Sequence, residues 1–437
     1  MKIIGISNQT KISSLIIIFF IFSFRLPQLF PPSLGLLISL SIALLIFVYT
    51  LFLALKNKFV IKNISIGKVL LIFAYLSLET IAFLRSGING VLNLTSVIQF
   101  IGISVTLTFF MLFSISAMKT RDELSYFIRS IIFGFSLLLL INLLLYIFGI
   151  NAYQTGNEYL YTTSKGVLLS SIGFEIPAAI YPLEAGPKSL GSILIFVGAI
   201  SLMFIKNGKN QFFYFFLFAI CSFMIVASDA RFYFSIILLL IVAFPFYRLF
   251  LSRRFVEIYK FIFPIIPILL IIVATYISNI PGFEILSRNA DDNISSLSGR
   301  TLIWNYIGEN IMEINPEIIF GYGAAGTVNS GINNELIYLF DDGWQNTGIK
   351  TAHNILLQQL LDKGLIGVFI FIYLIMSIVN TFRGNMSIES QALLLGTLTL
   401  MLASSLNTLF YYAHSESYIL FLIIVGLHSS SILNKNN

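Results

Sequence analysis

The side chains in this chain that could do chemistry are few, and most stand in its polar intervals. His353 and Asn354 head a short stretch whose leucines, Leu356, Leu357, Leu360 and Leu361, form one helical face, with Gly364 placed to end it. A helix N-terminus disfavours protonated imidazole and welcomes anions, so a histidine there stays neutral and basic beside a phosphate. The alternative is an imidazole that only caps the helix or sits at an interface. Arg300 shares a helical stripe with Trp304, Ile307 and Ile311. An arginine on an apolar stripe is costly unless it meets an anion such as a lipid phosphate or snorkels to a membrane surface. Arg231 lies in the turn VASDARFYFS between two apolar runs. A charge at that depth is paired or functional, so Arg231 either holds an anion or simply pairs with Asp229.

These residues need elements to position them. Ser298 is suited to cap a helix of roughly four turns that Asn315-Pro316 stops, since proline lacks the amide proton and restrains its predecessor. Gly321-Tyr322-Gly323 and Gly326 then allow a sharp turn or a close backbone approach. Residues 298–367 are the only long polar interval in an otherwise apolar chain.

Everything around that interval reads as membrane. The 437 residues are 57% hydrophobic and 11% charged, with mean hydropathy +0.91 and 43 phenylalanines, a composition that no soluble core carries. The fold expected is all-α and polytopic, a single integral-membrane domain over 1–437. About twelve spans are expected, near 12–30, 34–55, 69–84, 96–117, 130–149, 189–205, 211–227, 232–247, 261–279, 365–381, 391–409 and 417–433. The first run follows Lys2 and Lys11, lacks a small-residue cleavage site, and reads as a retained anchor. With both termini in the cytoplasm, most of the 26 Lys and Arg fall inside, roughly two to one, as orientation by positive loops requires. That placement leaves two external loops, a smaller one at 150–188 and a large, helical, catalytic one at 280–364.

Several classes are excluded by what the chain lacks. The net charge of +6 sits in short loops between spans, so it sets orientation and does not point to nucleic acid. Cys221 is alone, and His353, His414 and His428 show no paired-ligand spacing, so neither a disulfide framework nor a metal site is expected. No GxxxxGK loop and no sizeable cytoplasmic domain is present to hold a nucleotide or nucleotide sugar. Glu79, inside the third span, is either a proton-coupled site or a polar contact between helices. His414 and Glu416, in a short external turn, either line the same cavity as the main loop or are solvated. The 150–188 loop carries Tyr153, Tyr159, Tyr161, Lys165, three prolines and Lys188. Its tyrosines suit stacking on sugar rings and equally suit a membrane interface.

The order Ser-Gly-Arg at 298–300, Trp304, Asn315-Pro316, Gly321-x-Gly323, His353-Asn354 and Lys363-Gly-Leu-Ile-Gly367 resembles the O-antigen ligase and O-antigen polymerase family of bacterial envelope glycosyltransferases. The likeness is most specific over 298–367. It implies that a large external loop and its flanking helices hold the diphosphate of an undecaprenyl-linked glycan through arginines, with a histidine as catalytic base. Mapped onto this chain, the base is His353 and the diphosphate ligands are Arg231 and Arg300, with Asn354, Trp304, Lys165, Lys188 and His414 as accessory residues. Two departures from the family pattern occur: Asp229-Ala230 intervene between Ser228 and Arg231, and Lys165 and Gly186-Pro187-Lys188 stand where an arginine and a Pro-Asn pair are common.

The implied function is polymerisation of undecaprenyl-diphosphate-linked repeat units into O-antigen or related surface polysaccharide at the outer face of the bacterial inner membrane, without a cofactor. The close alternative is ligation of the finished lipid-linked chain to lipid A core. A transporter or flippase, the reading from another class, would need charges lining a path through several spans, and intramembrane charge is almost limited to Glu79. The partners expected are the lipid-linked donor, a lipid-linked or lipid A core acceptor, and membrane lipids.

Overall fold

The computed structural model describes residues 6–57, 63–150, 161–165, 167–170, 173, 177–183, 190–207, 210–266, 269, 300–311, 316–336, 351–383, 387–410 and 415–434. The long apolar runs are helices, because in lipid a helix satisfies its own backbone N–H and C=O groups within one segment. In chain order they are α1 (Asn8–Ser23), α2 (Pro32–Lys56), α3 (Ile66–Ile88), α4 (Leu94–Ala117) and α5 (Arg121–Ile147), then α7 (Gly191–Asn207), α8 (Gln211–Ala227) and α9 (Arg231–Ala243). Farther on come α16 (Ile355–Arg383), α17 (Ile388–Ser404) and α18 (Ser415–His428). Among the described residues six stretches are long and apolar enough to cross a membrane, in α2, α3, α4, α5, α16 and the run Arg231–Phe250, and five shorter apolar helices accompany them. The chain is an all-α, multi-pass membrane protein. The span expected at 261–279 lies mostly outside the described residues.

The helices start where the sequence offers caps. Thr120 Oγ1 accepts from Glu123 N at 3.3 Å, and the Glu123 carboxylate accepts from the backbone of Lys119 at 2.7 Å and of Ser7 at 3.0 Å, so α5 is capped and tied to α1 by one acidic side chain. Asn93 and Ser387 cap α4 and α17 in the same way. The innermost helices show which surfaces meet protein: every residue from Tyr418 to Leu427 of α18 is buried, as is most of α17. The outermost show which meet lipid. Leu37, Leu44, Phe52 and Leu55 on α2 and Phe212, Phe215 and Phe223 on α8 are all more than half exposed, a belt of apolar surface that only acyl chains would cover.

Cross-contacts define two ends. At one, Asn63 Nδ2 donates to Met118 O at 2.7 Å, Arg129 is paired with Glu389, and Lys260 Nζ donates to Asn380 at 2.7 Å. This end collects most of the basic residues. At the other, Arg25 is paired with Glu416, Arg231 with Asp229, and Leu183 N donates to Asn142 Oδ1 at 2.9 Å. The polar interval joins this second end as α12 (Arg300–Ile311), α13 (Pro316–Phe320), α14 (Gly326–Asn329) and α15 (Ile332–Leu336). The 150–188 segment contributes α6 (Val167–Ser170) and a two-stranded antiparallel sheet of β1 (Tyr161–Lys165) and β2 (Pro177–Ala179), a small exception to the helical rule. Beyond α9, the basic end carries α10 (Tyr247–Phe250) and α11 (Arg253–Ile262).

Candidate functional site

Asn354 sets the head of α16. Its Oδ1 accepts from Leu356 N at 2.9 Å and Leu357 N at 3.0 Å, while its Nδ2 donates to Ser405 O at 2.8 Å, tying the helix start to the end of α17. The cap is therefore Asn354, and His353 precedes it, half-buried and in the left-handed region at φ 49°. A non-glycine residue in that region needs its surroundings to hold it. They do so through Ala352, whose peptide is gripped from both sides. Its N–H donates to Gln358 Oε1 at 2.8 Å, and its carbonyl accepts from Trp304 Nε1 at 2.9 Å. Gln358 is fixed in turn, its Nε2 donating to Asp362 Oδ1 at 2.8 Å.

The same contacts place Arg300 and Arg231. Ile303, Trp304 and Ile307 of α12 form one buried cluster with Ile332, Ala352, Leu361 and Leu406, and Phe232 and Tyr322 pack against it. Arg300 is at the start of α12, His353 follows Ala352, and Arg231 precedes Phe232, so the residues flanking this cluster are the three singled out from sequence. Trp304 is the centrepiece, 8% exposed, contributing both apolar area and the hydrogen bond to Ala352. Arg231 is seated on Asp229, with Nη2–Oδ2 at 3.1 Å and both side chains about nine-tenths buried. Asp229 Oδ1 also accepts from Leu168 N at 3.1 Å, which anchors α6 to the turn between α8 and α9. Lys165 lies in β1, register partner of Pro177, and Lys188, His414 and Ser298 lie outside the described residues. Among the described residues no group of three His, Cys, Asp or Glu gathers in one place.

A feature the sequence did not reveal lies beneath the site. α16 breaks at Gly364, φ 66° and ψ −166°, a combination that glycine alone adopts readily. The break frees the carbonyls of Leu361 and Asp362, and the glycine turn fills the gap: Tyr322 N donates to Leu361 O at 2.7 Å and Gly323 N to Asp362 O at 3.0 Å. The close approach that the glycines permit is thus to α16 itself. A Cβ at Gly321 would stand 2.3 Å from the Asp362 backbone. On its other side the turn is held by α3, with Ala324 N donating to Ala82 O at 2.9 Å, Ser86 Oγ to Ala324 O and Arg85 to Gly321 O.

Buried charges secure the same junction. Lys363 Nζ is paired with Glu79 and also donates to Gln359 Oε1 at 2.6 Å, while Tyr75 OH donates to Glu79 Oε1 at 2.6 Å. Asp362 Oδ1 accepts from Gly326 N at 2.7 Å. Glu79, Asp362 and Lys363 are all under a tenth exposed. Glu79 is thus a contact between helices, and buried charge is not limited to it. Glu416, read as lining a cavity or solvated, is buried against Arg25. A lysine within LDKG looks like an exposed helix end; the signal that could have found it was the need of Glu79 for a cation.

An all-α membrane protein with two arginines and a histidine gathered around one end of its bundle is the class that fold and site define. The family model described as O-Antigen ligase matches residues 215–372, from within α8 to within α16, and takes in Arg231, Arg300, Trp304, His353 and Asn354. The match supports the O-antigen ligase and polymerase family that the motifs resemble. No curated protein and no solved structure matches the chain.

Proposed function

We propose that this protein is a membrane glycosyltransferase that polymerises undecaprenyl-diphosphate-linked oligosaccharide repeats into O-antigen or a related surface polysaccharide at the outer face of the inner membrane. The observation that carries the reading is the coincidence of the family match with the arrangement of Arg231, Arg300 and His353 about the Trp304 cluster. In the reaction, a hydroxyl of the next lipid-linked repeat attacks the anomeric carbon of the growing chain. The glycosidic bond forms as the bond to the lipid diphosphate breaks. Neutral His353 takes the hydroxyl proton, a task suited to imidazole near neutral pH. Arg231 and Arg300 hold the departing diphosphate, whose paired oxygens fit the guanidinium fork. Asp229 in this reading orients Arg231 until the diphosphate arrives. Lys165, Lys188 and His414 serve in this reading as accessory contacts to sugar or phosphate.

A second reading is favoured by the description of the matched family model, which is that of a ligase. Here the same chemistry delivers the finished chain to lipid A core. Deletion followed by gel analysis of surface glycan separates the two. Core capped with a single repeat indicates the polymerase; bare core with accumulated lipid-linked polymer indicates the ligase. An unchanged glycan profile would overturn both.

A further inference from the structure

The basic end of the bundle holds a cavity of about 790 Å³ that the transfer chemistry does not use. Its rim is basic and its floor apolar. Arg248 of α10, Arg253 at the start of α11 and Arg383 at the end of α16 line it together with Ser252 and Gln391, over Phe382, Ile388, Leu251 and Leu394. Arg383 is paired with Glu257, whose carboxyl is held below its ordinary range by hydrogen bonds from Lys260 and Arg383 and so remains an anion. Arg248 donates its Nε–H to Tyr247 OH at 3.2 Å, and among the described residues neither Arg248 nor Arg253 has a carboxylate partner. Lys206 adds a further positive charge over the Tyr247 ring at 3.9 Å.

The surroundings indicate what would fill the cavity. Leu249, Ile258 and Phe261, on the elements that bear the arginines, and Phe246 just before α10 are each more than half exposed, as side chains facing acyl tails are. A free phosphate would match the arginines and leave the apolar floor without a partner, whereas a phosphodiester carrying two acyl chains matches both. We propose that this cavity is a binding site for the headgroup of an anionic phospholipid, with Arg248 and Arg253 contacting the phosphodiester and the flanking apolar side chains contacting the tails.

The test uses the full-length protein, purified in a neutral detergent. Thermal unfolding and lipid retention by native mass spectrometry are measured with added phosphatidylglycerol, with phosphatidylcholine, and with inorganic phosphate at matched concentration. Phosphatidylglycerol should raise the unfolding temperature and stay bound, and the other two should do neither. Each basic side chain beside an anionic lipid contributes roughly five-fold to affinity, so Arg248→Gln with Arg253→Gln should weaken retention about 25-fold. The corresponding lysine pair, which keeps both charges, should weaken it less. Equal retention of the two lipids would overturn the proposal, as would retention of phosphatidylglycerol unchanged in the glutamine pair. Equal stabilisation by inorganic phosphate would overturn the lipid assignment and leave a soluble-anion site. Should the glutamine pair fail to fold, the wild-type comparison of the three additives still decides.

Discussion

At the scale of single residues, His353 and the two arginines carry different parts of the proposed reaction and fail in different ways. Loss of a general base lowers rate by on the order of 100- to 10,000-fold. His353→Ala is therefore expected to abolish glycan extension with expression and insertion intact, and His353→Asn to fail equally. The structure gives the helix cap to Asn354, and asparagine tolerates the left-handed backbone of position 353, so a His353 that only orients the helix start would leave the asparagine variant active. In vitro transfer by both variants across pH decides the matter: substantial activity with the wild-type pH profile would remove the histidine from the mechanism. Arg231 and Arg300 present planar forks, whereas lysine is a point charge. Arg231→Lys and Arg300→Lys are each expected to transfer poorly at equal protein levels, and near-normal transfer by both would exclude bidentate binding of the diphosphate. The pair with Asp229 sharpens this for Arg231, since a lysine would keep the charge and lose the fork that spans carboxylate and phosphate.

Elements explain why the site was partly legible from sequence. Residues 351–364 announced themselves, because a capping side chain, a leucine face and a terminating glycine are local signals; Asn354, the leucine stretch and Gly364 stand in the structure in that order. What Gly364 does beyond ending a helical segment was not local. It breaks α16 inside one long element, and the glycine turn at 321–326 repairs the break from more than thirty residues away in sequence. The pairs Glu79–Lys363 and Arg25–Glu416 are equally non-local. A single charge near an apolar run looks like a boundary residue until its partner on another helix is known. Glu79–Lys363 gives the prediction at this scale. Removing one partner of a buried pair strands the other charge, at a cost of about 3–5 kcal/mol, while replacing both is far milder. Lys363→Met should lower the unfolding temperature of the purified protein well below that of Glu79→Gln combined with Lys363→Met, and equal temperatures for the two would show that the pair does not hold the junction.

The whole molecule was legible in outline because lipid leaves a chain few options. Spans must be apolar and helical, so the long runs in α2 to α5 and α16 were readable to within a few residues, save that α5 begins nine and α16 ten residues before the expected starts. Charge asymmetry gives the further expectation of orientation. Reporter fusions at about residue 208 and residue 330 should score cytoplasmic and external, and matching locations for the two would sink the proposed topology. Which helices sit at the centre was not readable, since hydropathy does not distinguish a helix facing lipid from one facing protein. α18 and α2 are both apolar, yet one is buried along its length and the other lines the outside.

Transfer from a lipid diphosphate needs no other donor, and a reaction supplied with nothing else tests it. Purified protein is incubated with an undecaprenyl-diphosphate-linked repeat unit, with chelator and without nucleotide sugar, and glycan length and released undecaprenyl diphosphate are measured together. A ladder of longer lipid-linked glycans is expected, with one undecaprenyl diphosphate released per bond formed, and no such ladder from His353→Ala. Dependence on a nucleotide sugar, or transfer lost in chelator and restored by magnesium, would contradict it.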